Sequence, residues 1–147
     1  LRYADVVLMA AEAYNETDNT PEAWKLLNSV RKRAGAREIT TANYTELMKE
    51  KVYKLNFISD GDDAGKFRTA LYWERGFELA FEGQRKYDLI RWGIIKEALT
   101  LFSNRSSVKS AYPAGDNFQK GKHELFPIPL DELQLNPMFE NKNNPNY

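Results

Sequence analysis

The 147-residue sequence contains no cysteine, a single histidine and no excess charge of either sign, with 21 lysine plus arginine against 21 aspartate plus glutamate. The missing cysteine excludes disulfides, thiolate nucleophiles and cysteine-ligated metals together. With His123 alone, no multi-imidazole zinc site is possible, and a Ser-His-Asp triad would have to use that one residue. The balanced charge leaves nothing to neutralise a phosphate backbone or an anionic membrane surface, so nucleic acid is not an expected partner. No apolar run reaches membrane-spanning length. What is present is ample apolar material, 42% hydrophobic and 13% aromatic, enough for a folded core. The chain opens Leu1-Arg2-Tyr3-Ala4 without methionine and in helical register. It is therefore expected to be a piece of a longer protein.

The periodicity predicts an all-α chain. Leu1 to Glu16 reads as a helix with Ala4, Leu8, Ala11 and Tyr14 on one face. After the polar turn Thr17 to Thr20, Thr20 is positioned to cap a second helix, with Pro21 in its first turn. Ala23, Leu26, Leu27 and Val30 form its stripe, Arg31, Lys32 and Arg33 suit its C-terminal end, and Gly35 stops it. The pair forms an αα-hairpin resembling one tetratricopeptide-like unit. A third helix is expected within Thr40 to Leu55, with Leu47, Val52 and Leu55 apolar and Tyr44 and Tyr53 nearby. The turn-rich break from Phe57 to Gly65 follows.

Lys66 to Glu82 reads as the strongest helix, lined by Ala70, Trp73, Phe77 and Ala80, with Gly83 ending or bending it. Gln84 to Trp92 follows, anchored by Tyr87, Leu89, Ile90 and Trp92. Together with Lys66 to Glu82 it should form the core of a second hairpin. Gly93 separates it from Ile94 to Phe102. Ser103 to His123 is irregular, Leu125 to Leu130 is extended because of Pro127 and Pro129, and Asp131 to Leu135 is at most a short helical turn. Asn136 to Tyr147 is an asparagine- and proline-rich extended tail.

Three groups of residues carry possible chemistry. Glu74, Arg75, Glu78, Glu82, Arg85, Asp88 and Arg91 form the densest charged cluster. A pair of these glutamates could hydrolyse glycosides. However, a general acid needs surroundings that retain its proton, and adjacent arginines do the reverse. The cluster is expected to be a structural ion-pair lattice, with Glu82, Arg85 and Asp88 holding together the helices that flank Gly83. Asp60, Asp62 and Asp63 lie in a glycine-bearing loop and offer oxygen ligands for calcium, but the closing glutamate of a calcium loop is missing, and a solvated turn is the expectation. Tyr112, Asp116, Asn117 and Phe118 combine aromatic faces with amide and carboxylate groups, as a sugar-binding surface requires. Trp73 and Trp92 lie on apolar faces and are read as core. His123 is read as a loop hydrogen-bonding residue.

Four stretches resemble the SusD/RagB family. Leu1 to Ala13 (LRYADVVLMAAEA) is similar to the start of its C-terminal region, and Leu27 to Gly35 (LNSVRKRAG) to the helix that follows. The most specific is Glu74 to Gly93 (ERGFELAFEGQRKYDLIRWG). Leu125 to Pro129 (LFPIP), with the ending from Asn136-Pro137 through Asn144-Pro145-Asn146-Tyr147, completes the order. Two features depart from the pattern. Ala36 to Lys66 is longer than in the family's shortest forms, and Gly76 stands where a bulkier or basic residue is frequent.

The resemblance implies a non-enzymatic, cofactor-free glycan- or nutrient-binding protein. It would be lipid-anchored on the external face of the outer membrane through a part outside residues 1–147. Tetratricopeptide-like hairpins would contact a SusC-type TonB-dependent transporter. The alternatives are a helical-repeat module that binds other proteins, and an α-helical glycoside hydrolase using Glu74, Glu78 or Glu82.

Overall fold

The computed structural model describes residues 2–48, 53–105, 113–140 and 142–147. Every regular element among them is a helix, and no strand is present. The chain divides into two units, Leu1–Arg85 and Lys86–Tyr147.

In the first unit, α1 (Tyr3–Glu16) and α2 (Thr20–Arg33) form the expected hairpin. The turn between them uses Asp18 in the left-handed region, at φ 60°. Gly35, at φ 72°, closes α2: its N–H bonds the Lys32 carbonyl at 3.1 Å and the Ala36 N–H reaches back to Arg31 at 2.9 Å. This Schellman arrangement satisfies carbonyls that the helix end would otherwise leave open. The faces differ from the expected ones by a fraction of a turn. Tyr14 is 41% exposed, and Asn15 is the buried residue beside Ala4, Leu8 and Ala11. Burial of Asn15 is tolerable because its amide donates to Glu16 and to the Ala64 carbonyl and accepts from the Thr20 hydroxyl. Thr20 is thus the first residue of α2 rather than its cap. On α2, Trp24 and Asn28 are buried with Ala23, Leu27 and Val30, while Leu26 is only half-buried.

Among the described residues of the segment read as a third helix, only Tyr44–Leu47 is helical (α3); residues 49–52, including Val52, lie outside the described residues. The longest helix, α4, is Asp63–Glu78 and not Lys66 to Glu82. It begins earlier because the Asp62 carboxylate accepts the Gly65 N–H at 2.7 Å as an N-cap. It ends earlier because the chain turns left-handed at Phe81 (φ 65°) as well as at Gly83. The apolar face also shifts. Phe67, Ala70, Leu71 and Tyr72 are buried, Trp73 is half-buried, and Phe77 and Ala80 are exposed. In this unit α4 packs against both α1 and α2. Its Phe67 meets the edge of Trp24 at 5.1 Å in the centre of this three-helix core.

The second unit carries most of α5 (Arg85–Arg91), then α6 (Ile95–Arg105), α7 (Ala114–Asn117), α8 (Leu130–Leu135) and a 3-10 turn at Pro137–Phe139. Gly93 ends α5 with the same backbone pairing as Gly35. The first helix beyond it runs to Arg105, three residues past the expected Phe102. Short α7 packs on α6 so closely that a Cβ at Gly115 would lie 2.6 Å from the Thr100 Cα.

The asparagine-rich tail has a definite task. Pro127 and Pro129 have no N–H, so the extended segment cannot join a regular ladder. Instead the Asn143 side chain accepts from the Ile128 N–H at 2.8 Å and donates to its carbonyl at 3.2 Å. Asn144 donates to Phe126 O at 2.6 Å, and the Tyr147 hydroxyl to Leu125 O at 3.1 Å.

Candidate functional site

The charged cluster draws most of its partners from helices far away in sequence. Within the first unit, Glu74 meets Arg31 at 2.6 Å, linking α4 to α2. Arg75 meets Asp5 of α1 at 2.9 Å, with side chains only 3% and 7% exposed. Glu78 receives Arg2 at 2.8 Å and also pairs with Arg33. Arg2 spans to Glu82 at 2.6 Å. Arg85 lies with its guanidinium 3.8 Å over the Tyr72 ring and donates to the Tyr72 carbonyl at 2.8 Å, filling the space that Gly76 leaves open. In the second unit, Asp88 is buried and pairs with Arg91 at 3.0 Å.

Environment separates the two central carboxyls. Burial pushes the Glu74 carboxyl above its ordinary range; Arg31 opposes this, and the neighbouring Glu78 charge adds to it. Burial also pushes Glu78 up, but the Arg33 and Arg2 guanidinium groups outweigh it and hold Glu78 below the usual value. Such a divergent pair is the signature from which acid and base roles are read. Here each carboxylate holds a guanidinium at contact distance. The arrangement clamps three helices.

The sequence reading missed Arg2, Asp5, Arg31 and Arg33 as members of this cluster. The one available signal was Asp5, a lone acid in the apolar run Tyr3 to Ala11. Arg31 and Arg33 had a sufficient explanation as charges at the C-terminal end of α2.

The acidic loop is occupied by local contacts. Asp62 caps α4, Asp60 accepts from the Tyr44 hydroxyl at 3.2 Å, and Asp63 accepts from Thr41 at 3.1 Å. Burial, with the Asp60 charge adding and a Thr69 hydrogen bond opposing, pushes the Tyr44 hydroxyl up to about 12. Among the described residues no group of three or more His, Asp or Glu is placed to hold a metal ion.

Of the sugar-surface candidates, Tyr112 lies outside the described residues. Asp116 and Asn117 are exposed on α7. Phe118 is a correction: at 7% exposure it is a core residue, edge-on to His123 at 5.7 Å, and its ring is not an open platform. His123 accepts the Gln119 N–H at Nδ1, 2.9 Å away. An aromatic group sits instead on α4, where Trp73 stacks on the 56%-exposed Phe77 and meets the edges of Tyr53 and Tyr72. With Arg31, Ile39, Leu47, Met48 and Ala70, the rings of Tyr53, Trp73 and Phe77 border a cavity of about 190 Å3.

Comparison with known proteins points in one direction. The model of the SusD family matches residues 1–147. A SusD-like protein, P25, of Formosa agariphila is 38% identical over 94% of this chain and 22% of its own length. A second from that organism, SusD-like protein P2, is 32% identical over 100% of this chain and 25% of its own. The crystal structure of a SusD homolog from Bacteroides thetaiotaomicron superposes with a TM-score of 0.72 at 35% identity, covering 100% of this chain and 26% of that one. The chain thus spans about a quarter or less of the length of each of these relatives.

Proposed function

Since the chain belongs to the SusD family, we propose that it is the C-terminal helical region of an outer-membrane protein that binds glycans or related nutrients without catalysis. The protein passes them to a SusC-type TonB-dependent transporter and is held to the external face of the membrane by a lipid anchor outside residues 1–147. The observation that carries this reading is the match along the whole chain, which includes the Glu74 to Gly93 block. The interlocked charges fit it, because a scaffold needs rigidity where an enzyme would need a free carboxyl. Asp116 and Asn117 remain candidate ligand contacts on the surface of the second unit, with Tyr112 beside them in sequence.

A second reading is a helical-repeat module for protein partners. It is favoured by α1, whose outward side chains include Tyr3, Val6, Met9 and Tyr14, all exposed. Affinity purification of the full-length protein from its own outer membrane tests the transporter partnership. Co-purification of a TonB-dependent transporter together with glycan binding supports the proposal, whereas co-purification with no glycan bound supports the module.

A further inference from the structure

We infer that the outward face of α1 is an internal interface, covered in the parent protein by a further helix pair of the same polypeptide outside residues 1–147. The occupant rests on the reading above that this chain is one region of a longer protein; the place and chemistry rest on α1 itself. This helix is apolar on two sides. Ala4, Leu8 and Ala11 face the three-helix core. On the opposite side Tyr3, Val6, Met9, Ala13 and Tyr14 are exposed, with Val7 and Ala10 half-buried between them. No charge interrupts that stripe. The carboxylates of α1, on Asp5, Glu12 and Glu16, recur at helical spacing along one flank. Two of them meet α4 there, Asp5 through Arg75 at 2.9 Å and Glu16 through Arg68 at 2.7 Å. The other helix of the hairpin is built differently: α2 turns Lys25, Lys32 and Arg33 to water. A helix that is hydrophobic all round is a buried helix, whereas a polar face marks contact with solvent. By that rule α2 bounds the protein and α1 does not.

The chemistry of the stripe selects its occupant. Its polar side-chain groups are the hydroxyls of Tyr3 and Tyr14, too few to recognise a polyhydroxyl ligand. It also lacks the charged rim that steers and orients a partner that comes and goes. Permanent cover by apolar helix faces suits it better. A hairpin that resembles one repeat unit buries its faces by stacking on neighbouring units of its own chain. This chain spans only 22–26% of the length of the relatives it matches, so a protein of their length has ample chain to supply such a unit. Phe81 adds an independent sign. Arg2, beside Tyr3, pairs with Glu82 at 2.6 Å, which sets the turn carrying Phe81 at the Tyr3 end of α1. Phe81 holds a left-handed φ of 65° and its ring is fully exposed. Both features are costly, and no contact of that ring within this unit offsets them. The inference assigns to the protein's own helices the face that the second reading gives to a separate protein.

The test uses the full-length protein without transporter, diluted until sedimentation shows a monomer. Hydroxyl-radical labelling read by mass spectrometry compares Tyr3, Met9 and Tyr14 in native and denatured protein, with the buried Trp24 as the protected reference. All three should be protected to the degree of Trp24. Val6→Ala adds a sign. On a water-facing helix alanine is the better helix former, so the melting temperature would hold or rise. Under a packed neighbour the lost methyl groups leave a cavity, and it should fall by several degrees. Labelling of these residues in the monomer at nearly their denatured rates overturns the inference, as does protection that appears only in a dimer or only with the transporter present. A Val6→Ala melting temperature that holds or rises overturns it too. Calorimetry with glycans and the mass of the mature protein, on the same samples, separate the two levels. Glycan binding by a long protein whose α1 labels freely sinks the interface alone, whereas a mature protein no longer than this chain sinks the reading of a longer parent as well.

Discussion

Replacing Arg75 by methionine is the most informative single perturbation of the scaffold. Arg75 and Asp5 form a 2.9 Å ion pair between α4 and α1 with side chains 3% and 7% exposed. In Arg75→Met the Asp5 carboxylate stays buried among Ala4, Leu8 and the facing helix without its guanidinium. Breaking a buried pair from one side costs about 3–5 kcal/mol, a large part of the roughly 5–15 kcal/mol that holds a domain folded. At about 2–4 °C per kcal/mol for a chain near this size, the melting temperature should fall by roughly 10–15 °C. The cost is that of the stranded charge rather than of the lost attraction. The double replacement Asp5→Leu/Arg75→Met should therefore recover most of the loss, since apolar substitutes for a buried pair are often neutral or better. Arg68→Ala is the control: its bidentate pair with Glu16 lies at the surface with both side chains about half exposed, and is worth only about 0–1 kcal/mol. Thermal melts followed by circular dichroism at a helix wavelength, on all four proteins, make the comparison. If Arg75→Met melts within the control's range, or if the double variant is worse than the single one, the assignment of a buried, structure-bearing pair is refuted.

Asn28→Ala should cost about 2–3 kcal/mol, because both polar groups of the buried Ile39 backbone lose their partner, and urea titration reads this directly. Asn143→Ala removes a similar two-sided clamp from Ile128 at a part-buried site; a smaller loss is expected, with hydrogen exchange rising at the Ile128 amide. Gly115→Ala should loosen α7 from α6 by roughly 1–3 kcal/mol, since the added methyl meets Thr100 backbone that cannot yield; unchanged stability would contradict that contact. Because the folded-state Glu78 carboxyl lies below its ordinary 4.5, the unfolded chain binds more protons between the two values. The Glu78 contribution is thus complete above about 4.5 and disappears as pH falls through the lower, folded value. Glu78→Gln should flatten this acid limb in melts taken across that window. Glu74 runs in the opposite sense, its raised value making ionisation unfavourable to folding as pH rises above 4.5.

The hairpin of α1 and α2 was legible because its signals are local: a three-to-four residue spacing, Pro21 at one end, and Gly35 at the other. What was not legible depended on contacts across the chain. A helix starting at Lys66 is a fair reading of periodicity, but the capping Asp62 carboxylate moves the start to Asp63. Phe77 looks like core on a helical wheel, yet it is 56% exposed, with its ring stacked on Trp73. The charge cluster was visible as a cluster, yet its connectivity was not. The sequence places Glu78, Glu82 and Arg85 at helical intervals, and the early end of α4 removes the straight helix on which they would have met. Asp5, Arg31 and Arg33 became members only once α1, α2 and α4 were brought together. Phe118 shows the limit of reading a sugar surface from composition: an aromatic in a polar loop was taken into the core.

The central claim is that the parent protein binds glycans and leaves them intact. Calorimetric titration of the full-length protein with a broad polysaccharide panel, followed by assay of each recovered mixture for new reducing ends, tests it most directly. The account predicts saturable binding of at least one glycan with no new reducing ends, and the same result for Glu78→Gln wherever that variant remains folded. Release of reducing ends by the native protein that is abolished in folded Glu78→Gln would contradict it and would make the divergent Glu74 and Glu78 carboxyls an active site.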